Sequence, residues 1–198
     1  MKYFIAILIA FIFSGCIASK APVVEYMIDA KMAHKDIVVD GCNSKSIKVL
    51  KSFAPSKLQT LNMNYTQGSS KVFSYSQSMW AESPSDAITL EVVKLLRDKR
   101  LFKTVNVSKS RAKTDLILET NIEKFIQYFD KDLKTSFVEV SLTFTIIDVK
   151  TNKVIALKNF KTKEMVSTLD AMGGVKALNI ALGRVLLNSI DYFKEVCR

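Results

Sequence analysis

The chain has 198 residues, with 29 Lys and Arg against 19 Asp and Glu and a formal net charge of +10. Hydrophobic residues make up 48% of it, and only six Gly and three Pro interrupt them, which excludes a disordered tether and describes one globular domain with its own core. One His and three Cys leave little material for metal binding or for His-based catalysis.

The N-terminus comes first in the chain and in importance. Met1 and Lys2 give a positive start, residues 3–13 are unbroken apolar, and Ser14-Gly15-Cys16 closes the segment, the plan of an export signal. The apolar run of about eleven residues falls well short of the about 20 that a spanning helix needs. Small residues followed by a cysteine resemble the lipobox of bacterial lipoproteins, with Phe13 where that motif usually has Leu. The resemblance implies cleavage before Cys16, a diacylglycerol on its thiol and an acyl group on the new amine. An ordinary secretory signal with an incidental cysteine is the alternative. Residues 1–15 then read as the signal peptide, 16–24 as a lipidated tether and 25–198 as the exported domain. An exported chain rarely meets nucleic acid, so the basic surplus points to anionic lipid, an acidic protein or plain solubility.

Beyond the tether, residues 24–28 read as a first strand, while 29–45 are polar and irregular and carry no assignment. Alternation over 46–53 predicts a strand, and 61–65 with 72–76 predict a hairpin around the turn-rich 67–70. A helix follows with Ser83 as N-cap, Pro84 at its first position and Asp86 completing a capping box; Ile88, Val92, Leu95 and Leu96 form its apolar stripe. It should end near Lys99 or Arg100. Residues 102–107 predict a short strand. Leu116, Leu118, Thr120 and Ile122 alternate with Ile117, Glu119, Asn121 and Glu123, and Val138, Val140, Leu142, Phe144 and Ile146 with Glu139, Ser141, Thr143 and Thr145, the period-two pattern of strands with one buried face. A turn at 148–153 and a third strand over 154–162 complete a meander. After a Gly173-Gly174 interruption, Val175, Leu178, Leu182, Val185, Ile190 and Phe193 give a final helix its apolar face. The fold class is α+β: a single domain, a mostly antiparallel sheet, and two helices packed on one face.

With Cys16 acylated, Cys42 and Cys197 remain as an even pair in an export compartment, either bonded or as two free thiols. His34 lies in the unassigned 29–45 stretch and reads as an exposed loop residue rather than a base. No Gly-x-Ser-x-Gly elbow or phosphate loop is present. The expectation is therefore no catalytic residue, no metal site and no cofactor besides the covalent lipid on Cys16. One segment stands out chemically: Trp80, Glu82 and Pro84 surround the helix start. Trp80 either fixes the helix entry as a hydrophobic staple or anchors a partner.

Taken together, the lipobox, the Tyr26–Ile28 strand, the Trp80-Ala81-Glu82-Ser83-Pro84 helix opening, the Asp115-Leu116 strand start, the alternating strand pair and the apolar C-terminal helix resemble the ABC-type transport auxiliary lipoproteins, the PqiC-like family. The resemblance implies a non-catalytic, lipid-anchored periplasmic subunit on the outer membrane. Its partners would be an MCE-domain protein and an ABC transporter permease and ATPase that move lipid between membranes. Ile17, rather than Asp, after the acylated cysteine fits outer-membrane sorting. Self-association is compatible with this reading. An envelope-assembly lipoprotein of the lipopolysaccharide-export or Tol kind, and a small lipid-binding carrier, are the rival readings.

Overall fold

The computed structural model describes residues 22–30, 32, 42–68 and 70–197. Cys16, His34 and the signal segment lie outside these residues. Eight strands form one mixed sheet: β1 (Val24–Tyr26), β2 (Cys42–Val49), β3 (Asn62–Gln67), β4 (Lys71–Trp80), β5 (Phe102–Val107), β6 (Leu116–Phe129), β7 (Ser136–Asp148) and β8 (Lys153–Met165). Helices α1 (Pro84–Asp98), α2 (Ala171–Asn188) and α3 (Ile190–Glu195) accompany it.

Strand β6 is the spine. Along one edge it pairs antiparallel with β7 from Leu116↔Asp148 to Phe129↔Ser136, and β7 pairs antiparallel with β8. Its other edge is divided. The first part pairs with β2 (Ile47↔Leu116) and the last part with β3 (Tyr65↔Gln127), both parallel, with an isolated Phe53↔Asn121 bridge between them. Strand β5 adds outside β2, β4 outside β3 and β1 outside β4.

The α+β class, the helices on one face and the long antiparallel ladders agree with the sequence; the sheet is in addition partly parallel, through the short pairings of β1, β2, β3 and β5. Alternation reports that one face is buried; it carries no information about a neighbour's direction. Parallel β2 and β5 are joined through the hairpin and α1, a crossover long enough to bring the chain back to the same end.

Side chains of β7 alternate as expected: Val138, Val140, Leu142, Phe144 and Ile146 are all fully buried. In β6 the buried set runs Leu116, Leu118, Thr120, Ile122 and then Phe125, Gln127, Phe129. A bulge between Ile122 and Lys124 inserts one residue and flips the phase, so the strand continues six residues past the alternation that predicts it, to Phe129.

Helix α1 starts as its cap dictates. The Ser83 hydroxyl accepts the Asp86 N–H, Pro84 occupies the first turn, and the Asp86 carboxylate accepts from the Ser83 hydroxyl at 2.6 Å. Lys51 pairs with Asp86 at 2.7 Å; that ammonium first, and Ser83 second, hold the carboxyl below its ordinary range. Helix α2 begins at Ala171, not after the glycines. The Asp170 carboxylate accepts the Gly173 N–H at 2.7 Å, and both glycines belong to the first turn. A Cβ at Gly173 would overlap the Thr168 carbonyl of the connection from β8, and one at Gly174 the Gln127 amide of β6, so Gly173 permits the tight entry to the helix and Gly174 its close approach to the sheet. The final helical region is also split: Ser189 ends α2, its hydroxyl donating to the Leu186 carbonyl, and α3 carries Phe193 into the core.

The cysteines close the domain. Cys42 opens β2 and Cys197 follows α3; the two form a disulfide with Cα atoms 5.4 Å apart, 155 residues apart in sequence. The bond ties the C-terminus to an inner strand. Replacing Cys197 by Ser should lower unfolding free energy by about 2–5 kcal/mol in urea titrations of the oxidised protein, with the difference vanishing in reductant. Equal midpoints for the two proteins without reductant would show that the thiols are unbonded.

Candidate functional site

The divided edge of β6 leaves an opening. Between the end of β2 and the start of β3 the chain leaves the sheet through a short 3-10 turn (Ser56–Leu58). A cavity of about 260 Å³ lies beside the exposed edge, floored by Met63, Trp80, Phe125 and Leu178 and rimmed by Lys57 and Lys124. The Trp80 and Phe125 rings are 5.7 Å apart by centroid. Behind them a buried polar relay runs through Gln127: Tyr75 donates its hydroxyl to the Gln127 Oε1 at 3.0 Å, and Gln127 Nε2 donates to Ser136 Oγ at 3.0 Å. Burial, chiefly, pushes the Tyr75 phenol far above its ordinary value, so it stays a neutral donor.

Trp80, Glu82 and Pro84 occupy different environments in the structure. Trp80 is 4% exposed, its indole in the core and its N–H backbone bonded to Leu61 O. Pro84 is buried as the first residue of α1, and only Glu82 of the three faces solvent. Trp80, the last residue of β4, packs on Phe125 and is approached from outside only through the cavity whose floor it forms.

A second polar arrangement lies in the stretch that carried no assignment. The segment after β1 runs between α1 and α2, clasped from both sides. Glu91 of α1 accepts the Ala30 N–H at 3.1 Å. Asn179 of α2 accepts the Asp29 N–H at 3.1 Å and donates to the Met27 carbonyl at 3.4 Å. Burial raises the Glu91 carboxyl above its ordinary value, with Lys94 at 3.8 Å opposing the shift. The available signal was a polar residue on each apolar helix stripe, at 91 and at 179.

One end of the sheet is cationic. Lys45, Lys48, Arg111, Lys113 and Lys150 surround an open depression near the start of β6. The two carboxylates there are held by their own chain: Asp115 accepts the Ser46 N–H and hydroxyl, both at 2.7 Å, and Asp148 accepts the Thr151 N–H at 2.8 Å. These hydrogen bonds, backbone first, keep both carboxyls low and charged. No group of three or more His, Cys, Asp or Glu among the described residues could hold a metal ion.

A family model described as the ABC-type transport auxiliary lipoprotein component matches residues 33–188. A crystal structure of a Xanthomonas campestris protein, assigned to the DUF330 family model, superposes with a TM-score of 0.75 at 15% identity, covering 87% of this chain and 96% of that one. A hypothetical protein from Chlamydia trachomatis superposes with a TM-score of 0.51 at 10% identity, covering 80% of this chain and 99% of that one. Both likenesses concern the fold. No curated protein matches the chain.

The clasp gives a pH signature. A carboxyl raised in the native state binds protons there more tightly than in the unfolded chain, so its contribution falls as pH rises from the ordinary carboxyl value through the native one. Glu91→Gln keeps an acceptor for Ala30 and does not titrate. Its stability relative to wild type should therefore increase as pH rises from the ordinary glutamate value through the raised native one, in urea titrations at each pH. Glu91→Ala strands the Ala30 N–H and should cost about 1–3 kcal/mol throughout.

Proposed function

The chain belongs to the ABC-type transport auxiliary lipoprotein family, and from that premise we propose that it is a non-catalytic docking subunit of an intermembrane lipid transport system. Acyl groups on Cys16 hold it to the periplasmic face of the outer membrane, and its folded domain receives the MCE-domain component of the transporter. The family match is the observation that carries this reading. Several acyl chains, at about 0.8 kcal/mol per buried methylene, make an anchor far stronger than one chain. The chain's own residues supply position and charge; nothing in the reading requires bond making or breaking.

With Trp80 inside the core, the docking surface is assigned instead to the cationic end of the sheet. The five basic side chains that converge there outnumber the two nearby carboxylates, a positive surplus that favours an acidic partner face. A carrier of whole lipid molecules is less well supported. The cavity beside β6, about 260 Å³, is smaller than the about 300–1,000 Å³ typical of sites for drug-sized ligands. It fits a single apolar side chain or a short alkyl segment.

In cells, photo-crosslinking from the cationic end should capture an MCE-domain protein. Lys48→Glu combined with Lys113→Glu should reduce that capture about tenfold at low salt, with folding retained. Capture of an outer-membrane barrel or a lipopolysaccharide-export component would transfer the protein to the envelope-assembly reading. Intact-mass analysis should find Cys16 as the acylated first residue, and Cys16→Ala should release the protein from membranes.

A further inference from the structure

The two ends of the sheet are not equally reachable from the N-terminus. Val24 pairs with Ser78 and Glu25 with Met79; Met79 pairs in turn with Asn62, three residues before Tyr65 meets Gln127. β1 runs parallel to β4, and β4 antiparallel to β3, so the chain preceding Val24 points toward the end that carries the β3–β4 turn (68–70) and the β6–β7 turn (130–135). Eight residue steps separate Cys16 from Val24, a contour of about 26–29 Å at most. From the level of Val24, the first residue of β6 lies about 25 Å away along the strands, and the β7–β8 turn lies beyond it. An anchor at Cys16 therefore reaches the near end with slack. It reaches the cationic far end only by reversing at Val24 and running fully taut.

The near end has the chemistry of a bilayer boundary. Leu133 in the β6–β7 turn, Leu169 before α2 and Met172 in its first turn are each nearly half exposed. Lys71, Lys131 and Lys134 lie on the adjoining turns. Leu133 has φ +56, the left-handed region that suits Gly or Asn and penalises a branched apolar residue. The Asp130 carboxylate fixes that turn by accepting the Lys134 N–H at 2.8 Å and the Thr135 hydroxyl at 3.1 Å. A strained leucine held outward by a built turn is a side chain kept for what it touches.

We infer that this end seats directly on the membrane. Leu133, Leu169 and Met172 enter the headgroup boundary of an anionic leaflet, and Lys71, Lys131 and Lys134 meet lipid phosphates. The inference rests on the acylated Cys16 of the proposed function. It stands the domain upright and presents the cationic end about 40 Å from the bilayer, the length of β6.

The test uses the full acylated protein in vesicles of phosphatidylethanolamine and phosphatidylglycerol with brominated acyl chains, which quench nearby indoles. Leu133→Trp and Leu169→Trp report the near end and Val149→Trp the far end, over the constant background of buried Trp80. Both near-end indoles should lose about half their emission, as side chains about 5–10 Å into the boundary would, and the far-end indole should keep its own. Quenching at position 149 alone, or at no position in acylated, vesicle-bound protein, overturns the seating and leaves the anchor intact. A chain without acyl mass on Cys16 overturns the anchor, and the seating falls with it.

Discussion

Everything in this domain is referred to β6, a strand of fourteen residues whose two edges are used differently. One edge is a continuous antiparallel ladder to β7, and that ladder fixes which residues of both strands face the helices. Leu142 opposite Ile122 and Phe144 opposite Thr120 place the fully buried side chains of β7 beneath α2. The other edge is shared by two separate strands, so the sheet forks where β6 bulges. One branch, β2 and β5, lies under α1 and carries the disulfide. The other, β3, β4 and β1, receives the N-terminal chain. A continuous fourth strand would have closed the opening that now holds the cavity floored by Trp80 and Phe125.

What was legible in the sequence follows from how local each signal is. The capped start of α1 was readable because Ser83, Pro84 and Asp86 act on one another within a single turn. The β6–β8 meander was readable because its buried face repeats every second residue and its turns are short. The bulge at 122–124 hid the rest of β6, since an inserted residue makes Phe125, Gln127 and Phe129 look out of phase with Leu116 to Ile122. Parallel pairing was not readable at all, because side-chain pattern is blind to strand direction.

The candidate site was less legible than the fold. The lipobox-like Ser14-Gly15-Cys16 is a sequence signal in its own right. Trp80, by contrast, was ambiguous in the sequence: an isolated Trp at a strand-helix junction is as useful to a core as to an interface, and in the structure it is 4% exposed. The cavity draws on segments from Pro55 to Leu178, and the Glu91–Asn179 clasp on residues far apart in the chain, so both emerge only from packing.

The disulfide also sets how far the domain yields if its anchor is pulled. Tension entering at the N-terminus loads the three-residue β1–β4 ladder along its length and then the Glu91 and Asn179 hydrogen bonds. Should these give way, unravelling halts at Cys42, because its covalent partner Cys197 follows α3, whose Phe193 is buried in the core against Phe102 and Phe144. A pull on the N-terminus thus releases a bounded length of slack before it meets the covalent link between β2 and the segment after α3.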